Sequence, residues 1–258
     1  MEVTPQENIY GHQQRLHWLR DHLGKQDRTV EFGCGTGRLI TLPLRAWGYD
    51  VTGVDLDARS IEHGRELLRE AGLDPEALQT IDLRELPGPF DAVIASEILE
   101  HLDDGELRDS LALIHERLVP GGKLLVTTPN GYSLFELENL LWYRTGVDRL
   151  YRRAGSGGLA RRLRGLKARH GEWSETAEPM TLADSPHKQR FTWRSIHRIL
   201  ERAGFDIVEG RGAVLFGGPF TDLAFSGLPR VMALNKRLGA RMPRIASDYY
   251  IAAVRRGG

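Results

Sequence analysis

Val30-Glu31-Phe32-Gly33-Cys34-Gly35-Thr36-Gly37-Arg38 is the stretch that decides how this chain folds. An apolar strand runs into Phe32, glycines follow at alternate positions, and a helical pattern begins at Arg38 and Leu39. Glycines so spaced let the backbone turn tightly and lie against a ligand with no Cβ in the way. The next strand, Asp50 to Val54, closes on Asp55, about 20 residues downstream. A mononucleotide-binding βαβ unit carries its ribose-binding carboxylate at that point.

The spacing is G-x-G-x-G rather than the dinucleotide fingerprint, and Glu31 stands two residues before the first glycine. A carboxylate there repels a pyrophosphate and suits a ligand with a cationic end and a free amine. From Glu31 to Gly37 the sequence resembles the first motif of the class I S-adenosylmethionine-dependent methyltransferases, and the likeness extends over roughly residues 28–130. The resemblance implies an α/β fold: a Rossmann-like, doubly wound, seven-stranded, mostly parallel sheet with inserted lid segments. It also implies S-adenosyl-L-methionine as donor and S-adenosyl-L-homocysteine as product. On the matching positions, Glu31, Gly33, Cys34, Gly35 and Gly37 shape the methionine end. Asp55 with Leu56 takes the ribose, Asp82 and Leu83 read the adenine, and Glu97 orders the cofactor.

The 258 residues fit one large α/β domain, with 35 Lys and Arg against 35 Asp and Glu. That balance excludes a global nucleic-acid-binding charge, and the apolar content excludes disorder. The lone cysteine, Cys34, lies inside the glycine turn. It leaves no partner for an internal disulfide and predicts a reducing, cytoplasmic setting. Cys34 is read as a small filler of the turn in preference to a nucleophile. The first residues lack the pattern of a signal peptide, and no apolar run is long enough for a bilayer.

In chain order, 8–24 reads as a helix with Ile9, Leu16, Leu19 and Leu23 on its apolar side. By resemblance it covers the cofactor, which puts Tyr10, His12 and Arg15 within reach of the cofactor carboxylate or the substrate; the alternative is a surface helix packed on the sheet. Expected next are a strand to Phe32, a helix from Arg38 to Trp47 limited by Pro43, a strand to Val54 and a helix from Ala58 to Ala71 capped by Asp57. A short strand falls within Ala77–Leu83, another at Phe90–Ala95, a helix at Leu107–Leu118 and a strand at Lys123–Thr127. Such alternation implies a parallel sheet with right-handed crossovers and ligands at the carboxyl ends of its strands.

The pattern changes after Pro129-Asn130. A helical run at Ser133–Arg144 leads into a stretch between Val147 and Gly171 with eight Lys or Arg and one acid, Asp148. Glu172, Glu175, Glu178 and Asp184 follow. This reads as a lid, either clamping an anionic substrate or solvated with its basic half paired to its acidic half. A helix at Trp193–Ala203 and strands at Phe205–Val214 and Asp248–Val254 complete the domain, the last strand antiparallel by resemblance. The apolar stretch 216–246 is too apolar for an open loop; its interruptions at Gly227, Pro229 and Gly239 favour a cover for the active site or a homodimer contact over contact with a membrane surface. The organisation expected is one domain over 1–258, with a cofactor core at 28–130, a lid at 131–190 and a C-terminal part at 191–258.

The residues that bear on chemistry follow the fourth strand, in Ser96-Glu97-Ile98-Leu99-Glu100-His101-Leu102. If this segment is helical, Glu97, Glu100 and His101 share one face at i, i+3 and i+4. His187 precedes a helix that returns to the same sheet edge. Together Glu97, Glu100, His101 and His187 make a candidate metal set for magnesium or manganese, among other divalent ions. Glu100, His101 and His187 are also the catalytic candidates, with either histidine able to act as a base without metal.

The Glu-x-x-Glu-His segment resembles that of ubiquinone-biosynthesis O-methyltransferases. It also resembles small-RNA 3′-terminal 2′-O-methyltransferases, in which two acids and two histidines hold a metal. The chain departs from the second group at Gln189, where a histidine is expected, which weakens RNA as the partner. Thr128-Pro129-Asn130 departs from the Asn-Pro-Pro-aromatic segment of amino-methyltransferases. The acceptor expected is therefore a hydroxyl of a small molecule, a sugar or glycan end or a phenol. The alternatives are an RNA end, N- or C-methylation of a metabolite, and cofactor binding without turnover.

Overall fold

The computed structural model describes residues 11–134, 187–218 and 228–257, together with Leu137, Glu138, Leu141, Arg144 and Thr221. Tyr10, the arginine-rich stretch and the acidic run after it lie outside the described residues.

Seven strands form one sheet: β1 (Thr29–Phe32), β2 (Val51–Asp55), β3 (Leu78–Thr80), β4 (Phe90–Ser96), β5 (Leu118–Pro129), β6 (Phe205–Gly212) and β7 (Asp248–Arg255). Their order is β3-β2-β1-β4-β5-β7-β6. Strands β1 to β5 pair in parallel, and β7 runs antiparallel between β5 and β6, as expected for the last strand. The described helices are α1 (His12–His22), α2 (Thr41–Ala46), α3 (Ala58–Glu70), α4 (Asp104–Arg117), α5 (Trp193–Arg202) and α6 (Pro229–Arg241).

Side-chain alternation along the central strands builds two layers on the sheet. Val93, Ala95, Leu124, Val126, Ile251 and Ala253 bury one face beneath Leu107, Leu111 and Ile114 of α4 and Ile196 and Leu200 of α5. Ala92, Ile94, Leu125 and Ala252 bury the other beneath Leu16, Trp18 and Leu19 of α1 and Leu44 of α2. Because both faces are covered, the central strands read as unbroken apolar runs.

Several boundaries differ from expectation for local reasons. Helix α2 starts at Thr41 rather than Arg38. Pro43 then falls in its first turn, where a missing N–H costs nothing. Helix α4 starts at Asp104 rather than Leu107, because Asp103 and Glu106 form a reciprocal capping box. The strand expected at Lys123–Thr127 starts earlier, at Leu118, and carries Gly121 and Gly122 in a bulge where the pairing passes from Phe90 with Leu118 to Ala92 with Lys123.

The expected interruptions at Pro229 and Gly239 belong to α6: Pro229 opens it, and Gly239 lets it cross the chain after β6, where a Cβ would lie 2.5 Å from the Ala213 carbonyl oxygen. Asn235 ties α6 to the same chain by accepting from the Leu215 and Phe216 amides at 3.1 and 2.9 Å. No helix among the described residues is long and apolar enough to cross a membrane.

Candidate active site

The glycine turn follows β1 with Gly33, Gly35 and Gly37 all left-handed, at φ 69°, 55° and 65°. These conformations suit glycine for backbone reasons, but the surroundings of the three differ. A Cβ on Gly33 would lie 2.5 Å from Ile98 Cγ1, and one on Gly37 2.8 Å from Leu78 Cδ2. A Cβ on Gly35 would meet no atom of the described residues within 4 Å apart from its chain neighbours, so this residue presents bare backbone to open space. Asp55, at the end of β2, fixes that backbone by accepting from the Gly35 amide at 2.8 Å and the Asp57 amide at 2.9 Å. Beside it Leu56 is 73% exposed, an apolar side chain left uncovered at the ligand-bearing end of the sheet. Asp82 lies on a turn and accepts from the Arg84 amide at 2.8 Å, while Leu83 is buried.

Cys34 packs beneath the turn, where a Cβ on Gly53 would lie 2.8 Å from its Sγ. Burial first, then Glu31 and Asp55, push its thiol well above the ordinary value. The thiol therefore stays protonated, in keeping with a filler.

Glu31 is only 4% exposed. Its Oε2 accepts from the Thr41 amide at 3.0 Å and from the Thr41 hydroxyl, bracing the start of α2. Burial pushes its carboxyl up to about 7; the Thr41 hydrogen bonds oppose this and the Asp55 charge adds to it. An acid raised in the fold stabilises most while protonated, below its unfolded value of about 4.5, and loses that contribution as pH rises through about 7. Relative to wild type, Glu31→Gln is thus expected to gain stability, on the order of 2 kcal/mol, between pH 5 and pH 8. Urea unfolding across that range checks this; a difference independent of pH contradicts it.

A second buried group of charges lies where α1 meets β4, β5 and β7. Arg15 is 8% exposed and its guanidinium pairs with Glu97 at 3.4 Å. Burial acts against the charge, but Glu97, Tyr250 and Asp248 outweigh it and hold the Arg15 pKa above the ordinary arginine value. Asp248 is pushed up to about 7 by burial and by Glu97, against Arg15 and a hydrogen bond from Ser247. His12 is brought down to about 4 by burial and by Arg15, so it is neutral.

Glu97 is the non-glycine residue with positive φ, 53°, among the described residues. Its amide donates to the Thr127 carbonyl at 2.8 Å and its Oε1 accepts from the Thr127 hydroxyl at 2.9 Å. Strain of this kind persists only where surroundings over-determine it.

That backbone turn corrects the expectation of one helical face. The helix after β4 is a single 3₁₀ turn, Leu99–His101, and Glu97 precedes it in a left-handed conformation. Glu97 therefore faces Arg15 and Thr127. Glu100, His101 and His187 do converge, with one donor atom from each within 4.8 Å of the others. Glu97 is not in that group. Glu100 is 2% exposed and accepts from the Thr128 hydroxyl at 3.1 Å. Burial and the Glu97 charge push its carboxyl well above the ordinary glutamate value. The His101 and His187 rings meet edge to face, 4.9 Å between centroids.

Sequence reading placed Thr127 and Asp248 only as strand ends, and Thr128 only within Thr128-Pro129-Asn130, without giving their side chains a part in the site. Their one signal is position, at the ligand-bearing ends of β5 and β7.

The strand order, the antiparallel β7 and the glycine turn closed by Asp55 are those of the class I S-adenosylmethionine-dependent methyltransferase fold. The chain belongs to the methyltransferase domain family, whose profile matches residues 9–210. It is 36% identical over 108 residues to a ubiquinone biosynthesis O-methyltransferase of Caulobacter sp. (strain K31), covering 40% of this chain and 41% of that protein. It is 32% identical over 107 residues to a ribosomal protein L11 methyltransferase of Thermotoga neapolitana, covering 42% of this chain and 40% of that protein. The chain thus spans about half the length of these curated relatives, or less. Among solved structures, it shares its fold with magnesium protoporphyrin IX methyltransferase from Synechocystis PCC 6803 with bound SAH. The TM-score is 0.54 at 17% identity, over 95% of this chain and 81% of that one.

Proposed function

We propose that the protein transfers the methyl group of S-adenosylmethionine to a hydroxyl oxygen of a small molecule, a sugar or glycan end or a phenol, and that Glu100, His101 and His187 hold a divalent cation that receives the acceptor. The observation that carries this reading is the convergence of one carboxylate and two imidazoles at the ligand-bearing end of the sheet. One oxygen and two nitrogen donors suit manganese, iron or zinc better than magnesium, which favours an all-oxygen shell. The partly matching Caulobacter relative, an O-methyltransferase by name, supports oxygen as the acceptor.

The cofactor supplies a methyl group already activated on sulfonium, and a bound dication would lower the pKa of a hydroxyl and orient it. The chain's own residues then have to position the reactants and exclude water. In this reading Gly35 offers its bare backbone to the methionine end, and Glu31, bonded to Thr41, braces the helix that follows the turn. Asp55 and Leu56 orient the ribose, and Asp82 with Leu83 flanks the adenine. Arg15, held by Glu97, is the cation for the cofactor carboxylate. With His187 committed to the cation, the acceptor proton leaves to solvent; His101 or His187 takes it only in the metal-free alternative.

The test needs no acceptor. Metal-stripped protein saturated with S-adenosylhomocysteine is titrated calorimetrically with manganese and with magnesium. Saturable manganese binding, lost in both Glu100→Ala and His187→Ala, is expected. Absent binding, or binding indifferent to both changes, overturns the metal reading and leaves a histidine base.

A further inference from the structure

His187 reaches Glu100 and His101 because residues 187–191 are laid against two other elements. The Lys188 and Gln189 amides both donate to the Glu100 carbonyl, at 2.8 and 3.0 Å. At the other end Asn130 and Phe191 form a parallel bridge, and the Gly131 amide donates to the Phe191 carbonyl at 3.1 Å. A Cβ on Gly131 would lie 2.7 Å from Arg190 Cβ, so a glycine is needed for the two segments to approach. The residue whose carboxylate enters the donor cluster thus also carries, on its carbonyl, the strap that brings His187.

Two side-chain contacts fasten the strap to the first turn of α4. Gln189 Nε2 donates to Asp104 Oδ1 at 2.7 Å, and Lys188 Nζ lies 3.0 Å from Glu106 Oε2. The lysine pair is about half exposed on both sides, and such pairs contribute little. The amide–carboxylate bond is exposed as well, but it is the shorter of the two and holds the residue nearer the Phe191 anchor. Its acceptor sits on a rigid support, since Asp103 caps the same turn through the Gly105 and Glu106 amides, both at 2.9 Å.

We infer that Gln189 and Asp104 are positioning residues, a latch that sets His187 against Glu100 and His101. This rests on the donor cluster proposed above, but the latch has its own readout. The physical point is that His187 is exposed and would otherwise be free to swing, whereas its neighbours two residues on are bonded to a capped helix. Partners in a second layer around a metal commonly set its affinity by an order of magnitude or more.

The test compares Gln189→Ala, Gln189→Glu and Gln189→Glu combined with Asp104→Asn. Gln189→Glu sets two carboxylates against each other. The double change restores one amide–carboxylate bond of the same length with donor and acceptor exchanged. Two measurements are made: amide hydrogen exchange at Lys188 and Gln189, and manganese affinity in the presence of S-adenosylhomocysteine.

Gln189→Ala is expected to speed exchange at both amides and to weaken manganese about tenfold. Gln189→Glu is expected to do more, and the double variant to recover most of both. Wild-type exchange rates in both single variants overturn the latch, whatever the metal does. Faster exchange with unchanged manganese affinity overturns the positioning role. Absent manganese binding in the wild type overturns the metal reading, and the exchange arm still decides the latch.

Discussion

Gly35→Ala is expected to weaken S-adenosylhomocysteine binding by about 100-fold while costing the fold only about 1–2 kcal/mol. The two effects separate because of what surrounds the residue. The stability cost comes from the left-handed backbone, φ 55°, which an alanine tolerates poorly. Among the described residues, none beyond the two chain neighbours lies within 4 Å of the added methyl group, so there is no core clash to add to it. That same empty space is where a ligand lying against the bare backbone would sit, and overpacking a close contact is costly. Gly33→Ala makes the control, since its Cβ would collide with Ile98 at 2.5 Å and should damage fold and binding together. Calorimetry with S-adenosylhomocysteine, beside urea unfolding, reads both quantities. Normal binding by Gly35→Ala would show that the open side of the turn is not the ligand's.

The second large effect belongs to Arg15. Arg15→Met keeps an apolar stem in the core but removes the cation that faces Glu97 and Asp248. Breaking a buried pair leaves an uncompensated charge, at about 3–5 kcal/mol; because Glu97 retains 26% side-chain exposure, the lower end, about 3 kcal/mol, is expected at pH 8. The sign of the pH dependence follows from Asp248, whose carboxyl lies at about 7. Below that pH it takes up a proton and no longer needs the guanidinium, so the deficit of the variant shrinks between pH 8 and pH 5. Denaturant unfolding at the two pH values checks this, and an equal deficit at both removes Asp248 from the account. The same variant should bind S-adenosylhomocysteine more weakly, because Arg15 is the cation proposed for its carboxylate.

Much of the scaffold was legible because its signals are local. Alternating strands and helices, the glycine turn and Asp55 each announce themselves within a few residues, and Asp57 does cap α3, accepting from the Ser60 amide at 2.7 Å. The capping box of α4 was equally local and was passed over, although Asp103-x-x-Glu106 is the usual mark of a helix start. What could not be read was of two other kinds. The left-handed Glu97 carries no mark in its residue type, since positive φ is normally a glycine property, and it moved Glu97 away from the donor cluster. The grouping of Arg15, Glu97 and Asp248 depends on side chains from α1, the turn after β4 and β7, far apart in sequence, and no periodicity reports such a meeting. Gln189 showed the same limit: the sequence marked it as a departure from a histidine, while its bond to Asp104 appears only in three dimensions.

The placing of β7 between β5 and β6 has a consequence for how the chain assembles. Among the described strands, β6 has no sheet neighbour except β7, which is synthesised after it and after α6. Strands β1 to β5, by contrast, pair only with one another before β7 arrives. On a ribosome, the glycine turn, Asp55 and the Glu100–His101 segment can therefore take shape while β6 still waits with both edges open. Closure of the sheet, and with it the meeting of Asp248 with Arg15 and Glu97, has to wait for the strand made last among those described.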